Sequence, residues 1–66
     1  MDINVLLTKL ARPAQRAILS TGATTLEQLA EMTEAEISAL HGIGKNALDI
    51  IRSTLKEYGL SLTASK

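Results

Sequence analysis

The stretch LHGIGKNA at residues 40–47 constrains this chain more than any other. Apolar spacing predicts one helix ending at Leu40 and another starting near Lys45, so about four residues must reverse the chain. Such a reversal calls for backbone free of Cβ clashes and able to take positive φ, which Gly42 and Gly44 supply. Ile43, between them, is too hydrophobic for a loop tip and reads as a plug turned back between the two helices. Ala47 is small enough to let those helices cross closely. Ile37, Leu40, Gly42, Ile43, Gly44 and Ala47 thus read as apolar-x-x-apolar-x-Gly-apolar-Gly-x-x-Ala.

The remaining helices follow from caps and periodicity. Asp2 is placed to cap a first helix carrying Ile3, Leu6, Leu7 and Leu10 and ending near Leu10. Pro13 suits a first turn, so a second helix is predicted from about Pro13 to Ser20, closed by Gly22. Two capping boxes, Thr24 with Glu27 and Thr33 with Glu36, predict short helices over roughly 25–31 and 34–40, with Leu26, Leu29, Ile37 and Leu40 turned inward. The longest helix is predicted from about Lys45 to Tyr58, burying Leu48, Ile51, Leu55 and Tyr58, with Gly59 and Leu60 as its terminator.

A chain of 66 residues lies near the lower size limit for unaided folding, so every element must share one core. With no Phe or Trp and only Tyr58, that core must be Leu, Ile, Val and Ala, which suits closely packed short helices. The expected fold is all-α, a compact bundle of four to five short helices forming a single domain over 1–62, with 63–66 as a frayed tail. The lack of cysteine excludes disulfides and Cys-based zinc sites and fits a reducing, cytoplasmic setting. Apolar runs such as NVLL are too short to span a bilayer, and the N-terminus lacks the design of a signal peptide, so no membrane partner is expected.

A faint internal echo runs at an offset of 33 residues. Leu7, Leu10, Ala11, Arg12, Ala14 and Ile18 line up with Leu40, Ile43, Gly44, Lys45, Ala47 and Ile51. If the echo reflects duplication, LARPA is a degenerate copy of IGKNA, and two basic helix starts are related by pseudo-symmetry.

Charge is balanced overall but segregated along the chain. Lys9, Arg12 and Arg16 stand against Asp2 up to residue 20, only Glu27, Glu31, Glu34 and Glu36 occur from 21 to 40, and Lys45, Arg52, Lys56 and Lys66 face Asp49 and Glu57 thereafter. If the fold brings the two ends together, one face is basic and the opposite one acidic; otherwise the charges are an ordinary solvated surface. The near-absence of aromatics removes the stacking platforms of single-strand binders. Ser38 and His41 share no catalytic framework, no carboxylate pair suggests acid/base work, and His41 reads as a surface residue or one hydrogen-bonded to nearby backbone, so neither an enzyme nor a cofactor or metal is implied.

The glycine hairpin resembles the helix-hairpin-helix motif. The longer stretch TTLEQLAEMTEAEISALHGIGKNALDIIRSTLKEYGLSL, residues 24–62, is similar to the C-terminal domain of the bacterial RNA polymerase alpha subunit, and with ARPAQRAIL the chain looks closest to small stand-alone bacterial proteins of that fold. The resemblance implies a SAM-like cluster of four or five helices, probing double-stranded DNA from the minor-groove side without reading sequence, and contact with transcription or repair proteins. Gly42, Ile43, Gly44, Lys45 and Asn46 then form the phosphate-facing hairpin, since amides opening a helix suit an anion and Lys45 adds a full charge. Asn46 replaces a second lysine of that family and Ala47 a serine, and the family's groove-entering arginine falls at Pro13, between Arg12 and Arg16. Arg12, Arg16 and Arg52 are therefore the expected basic companions of the hairpin in a monomeric, non-enzymatic DNA-binding module. The competing reading is a protein-interaction module that docks a partner through the acidic 27–36 surface or an apolar groove.

Overall fold

Five helices connect through turns in a computed structural model that describes residues 1–63: α1 (Asn4–Leu7), α2 (Arg12–Ser20), α3 (Leu26–Ala30), α4 (Glu34–Ser38) and α5 (Lys45–Glu57). Isolated bridges, Asp2 with Thr25 and Thr33 with Thr63, are the extended pairings among the described residues. The all-α expectation is met. With principal extents of 25 × 24 × 21 Å, the bundle wraps α5, which packs against α1 and α4.

The core is aliphatic, as the composition dictates. Ile3, Leu6, Leu7 and Leu10 are buried with Ala14, Ile18, Leu26, Leu29, Ile37, Ile51 and Leu55, drawing on every helix. Leu40, Ile43, Ala47 and Leu48 pack half-buried against this cluster. Ile43 therefore works as the plug that its position between two glycines suggested. No buried side-chain polar atom among the described residues lacks a partner.

Local differences from expectation have local causes. Asp2 does turn its carboxylate to the chain start, accepting from the Asn4 amide at 2.8 Å, but α1 ends at Leu7 and tighter turns carry the chain to Leu10. Gln15 anchors that turn by donating to the carbonyls of Leu7 and Leu10 at 2.7 and 3.0 Å. The cap of α3 is shifted by one residue: Thr25 accepts from the Gln28 amide, and the Gln28 side chain returns to Thr24. Glu27 is released from the expected box because, after a cap at Thr25, position N3 is Gln28. Thr33 and Glu36 do form the reciprocal box at the start of α4. In α5 the buried stripe is Ile51, Thr54 and Leu55, while Tyr58 is 42% exposed. Tyr58 is the C-cap, where the backbone is already leaving the helix and the helical repeat no longer sets the direction of a side chain.

Past Tyr58 the chain closes with the paired bonds of a Schellman turn, Leu60 N–H to Leu55 O and Gly59 N–H to Lys56 O, at φ +72° for Gly59. Thr63, placed with the tail by its sequence, donates from its amide to Met32 O and from its hydroxyl to Ala30 O and Glu31 O. The rest of the expected tail, 64–66, lies outside the described residues.

The two hairpin glycines have different tasks. Gly42 sits at φ +98°, and a Cβ there would lie 2.6 Å from the carbonyl oxygen of Pro13. The turn is thus pressed onto the first turn of α2. Gly44 is extended at φ −97° and ψ −175°, with open space where a Cβ would project, so it needs no left-handed backbone. Gly42→Ala is expected to cost about 2–4 kcal/mol, combining backbone strain with overlap, whereas Gly44→Ala should cost under about 1 kcal/mol. Denaturant midpoints at constant m-value measure both.

The N-terminal ammonium of Met1 lies 2.7 Å from Glu27, tying the chain start to α3. That hydrogen bond holds the Glu27 carboxyl below its ordinary value of 4.5, with its own backbone amide assisting. A depressed folded value stabilises the protein above the ordinary carboxylate range and is lost as pH falls through it. Glu27→Gln should therefore lower the melting temperature at neutral pH, and the difference from wild type should close on acidification below 4.5.

Candidate nucleic-acid interface

Two helix starts open side by side at the seam between Gly42 and Pro13. α5 begins at Lys45 after the extended Gly44, and α2 begins at Arg12 after the extended Ala11 (ψ 161°); neither start has a side-chain cap among the described residues. The leading N–H groups of α5, from Lys45 onward, have no carbonyl one turn earlier to bond and carry the positive end of a 13-residue helix. At α2 the second helical position is Pro13, which has no N–H to satisfy.

The sequence echo has a counterpart in the backbone. Leu10 N–H bonds Leu7 O at 3.0 Å as Ile43 N–H bonds Leu40 O at 3.2 Å, and Gln15 N–H bonds Ala11 O at 2.9 Å as Leu48 N–H bonds Gly44 O at 3.0 Å. Each pair is related by 33 residues, the offset of the echo. The resemblance breaks at the turn itself, where Gly42 has positive φ while among the described residues no residue other than glycine does.

Arg12, Arg16 and His41 meet around an open recess of about 390 Å³, floored by Pro13 and Gly42. A second recess, about 250 Å³, runs between Pro13, Ala14, Gly42, Gly44, Asn46 and Ala47. All side chains expected at the DNA contact except Ile43 and Arg52 are exposed in this region: Arg12, Arg16, Lys45 and Asn46, with the backbone of Gly42 and Gly44. Ile43 is half-buried beneath them and supports the turn. His41, read from the sequence as a surface residue, is exposed and lies beside α2, a neighbour that its turn position gave no signal of.

Arg52 is not brought to this seam. Its guanidinium bonds Glu34 at 2.6 Å and Asp49 at 3.0 Å, and these partners, Asp49 first, raise its pKa above the ordinary value. It lines a larger groove of about 810 Å³ with Glu34, Leu48, Lys56, Leu60 and Leu62. Lys9 likewise pairs with Glu57 at 2.8 Å, a hydrogen bond that raises its pKa. Among the described residues, Arg12, Arg16, Lys45 and Lys56 are the cationic side chains without an acidic partner within 4.0 Å, and Lys56 alone of these lines the far groove. The two basic ends of the sequence thus converge only in part, through the helix starts rather than through the whole of α5. No three His, Cys, Asp or Glu side chains gather into a metal-binding group among the described residues.

No family model matches this chain, and no solved structure matches it significantly. A stretch of 45 residues, 68% of the chain, is 42% identical to the DNA-directed RNA polymerase subunit alpha of Rubrobacter xylanophilus, of which it spans 14% of the length. The chain, all-helical among its described residues, is therefore similar over those 45 residues to a small portion of an RNA polymerase subunit alpha.

Proposed function

We propose that this protein is a non-enzymatic DNA-binding module, a single helix-hairpin-helix domain over 1–62, that grips the duplex backbone from the minor-groove side with little regard for sequence. Gly42, Gly44, Lys45 and Asn46 offer amides and one cation to a phosphate, Ile43 holds the turn in place, and Arg12 and Arg16 reach neighbouring phosphates. The observation that carries this reading is the close seat of Gly42 on Pro13, which sets two exposed arginines without acidic partners beside the uncapped start of α5. Similarity to an RNA polymerase alpha subunit supports it and suggests a bacterial, cytoplasmic protein of the transcription machinery, acting as a monomer.

A protein-docking role is the second reading, favoured by the zero net charge and by the 810 Å³ groove with Leu48, Leu60 and Leu62 along it. Titration of labelled protein with a short duplex separates the two. The DNA reading requires salt-sensitive shifts at the amides of Gly42, Gly44, Lys45 and Asn46 with companions at Arg12 and Arg16; an unchanged spectrum sinks it.

With about three to five phosphates neutralised, log affinity should fall with log salt at roughly −0.9 per phosphate. Lys45→Glu should weaken binding about tenfold near 0.1 M salt, equally for A/T-rich and G/C-rich duplexes, because phosphate contacts carry no sequence information. Arg52→Ala should change affinity less than about twofold, since its charge is already matched by Glu34 and Asp49. Gly44→Asp is the sharper test. A carboxylate at this extended N-cap should leave stability unchanged or raise it by a few tenths of a kcal/mol, yet occupy the amides meant for phosphate and weaken binding. Binding by Gly44→Asp at wild-type strength would exclude the hairpin amides as the contact.

A further inference from the structure

His41 stands where its chemistry is hard to account for by packing. It is exposed in the turn after α4, and the recess that it lines is otherwise walled by Arg12 and Arg16, with Pro13 and Gly42 between them. The two arginines lie one helical turn apart on α2, an arrangement that repels, and neither has an acidic partner among the described residues. Among the described residues no carboxylate lines the recess. On the side of α4, Glu34 is paired with Arg52 and Glu36 is bound into the Thr33 cap; on the side of α5 the first ionisable group is the cation Lys45. Three side chains that carry or accept positive charge therefore share one concave surface without a described counter-charge, whereas Lys9, Arg52 and the N-terminus each have one.

We propose that Arg12, Arg16 and His41 form a phosphate site beside the hairpin, and that His41 takes up a proton from solvent as a phosphate enters. The inference rests on the DNA-backbone reading above and adds to it a pH dependence with its own residue. A phosphate oxygen accepts from both guanidiniums and favours the imidazolium over the neutral ring, because an opposite charge nearby stabilises the charged form. Imidazole is the side chain that changes charge between about pH 5 and 8. Linkage then fixes the sign: a group that binds its proton more tightly in the complex makes the complex tighter as pH falls.

Duplex affinity measured for wild type and His41→Gln at about pH 5.5 and 7.5, with ring and amide resonances followed in the same samples, tests the site. His41 is exposed and unneeded by the core, so the variant keeps the fold. Wild type is expected to bind about fivefold more tightly at the lower pH, with a salt slope steeper by roughly 0.9, while the variant shows neither change. Equal pH ratios for the two proteins, with the hairpin amides still shifting, overturn the phosphate site and leave the hairpin reading intact. No hairpin shift at either pH overturns both. Inorganic phosphate at matched ionic strength separates the sources of the group: ring and Arg12 amide shifts with phosphate and duplex alike support a site that takes the free anion, and shifts with duplex alone support one that takes phosphate only on the nucleic-acid backbone.

Discussion

The approach of Gly42 to the Pro13 carbonyl is the contact on which the candidate interface depends. A left-handed turn residue with no Cβ lets the hairpin between α4 and α5 lie directly on the first turn of α2. Any side chain at residue 42 would push those turns apart, and the exposed arginines of α2 would move away from the start of α5. Because both helix starts are short of side-chain caps, the seam gathers amides, guanidiniums and an imidazole while the aliphatic plugs Leu10 and Ile43 face the core beneath it.

Those plugs also explain the weak internal symmetry. Each half of the chain runs a short helix into a tight turn, seats one aliphatic residue against the core, and starts a longer helix from an extended residue. The halves differ at the turn and at the helix start. The second turn uses a glycine with positive φ and a polar helix start, while the first uses Lys9, engaged with Glu57, and a proline inside the helix start. One backbone plan thereby yields a hairpin rich in free amides and a flank that contributes side-chain charge.

Zero net charge conceals this arrangement. The ion pairs of Lys9 with Glu57 and of Arg52 with Glu34 and Asp49 remove cations from the free surface, and the exposed pairs themselves add little stability. Among the described residues the cations left unpaired are Arg12, Arg16 and Lys45 near the hairpin and Lys56 at the far groove, so a neutral chain still presents a local attraction for an anion.

The aliphatic core, five helices, the Thr33 box, the Gly59 terminator and the hairpin with its Ile43 plug were legible in the sequence, because each depends on residues within about one or two turns of each other. The cap of α3 was misplaced by one residue since Thr24 and Thr25 offer the same chemistry, and only the path of the chain, with Ile3 N–H bound to Thr24 O, decides which of them caps. The tertiary structure alone assigned different work to Gly42 and Gly44, sent Arg52 to its carboxylates, exposed Tyr58 and brought His41 to Arg12 and Arg16. Spacing reports which residues share a helix face, whereas these outcomes depend on which turn is pressed against which helix, a relation between residues some thirty positions apart that no local pattern encodes.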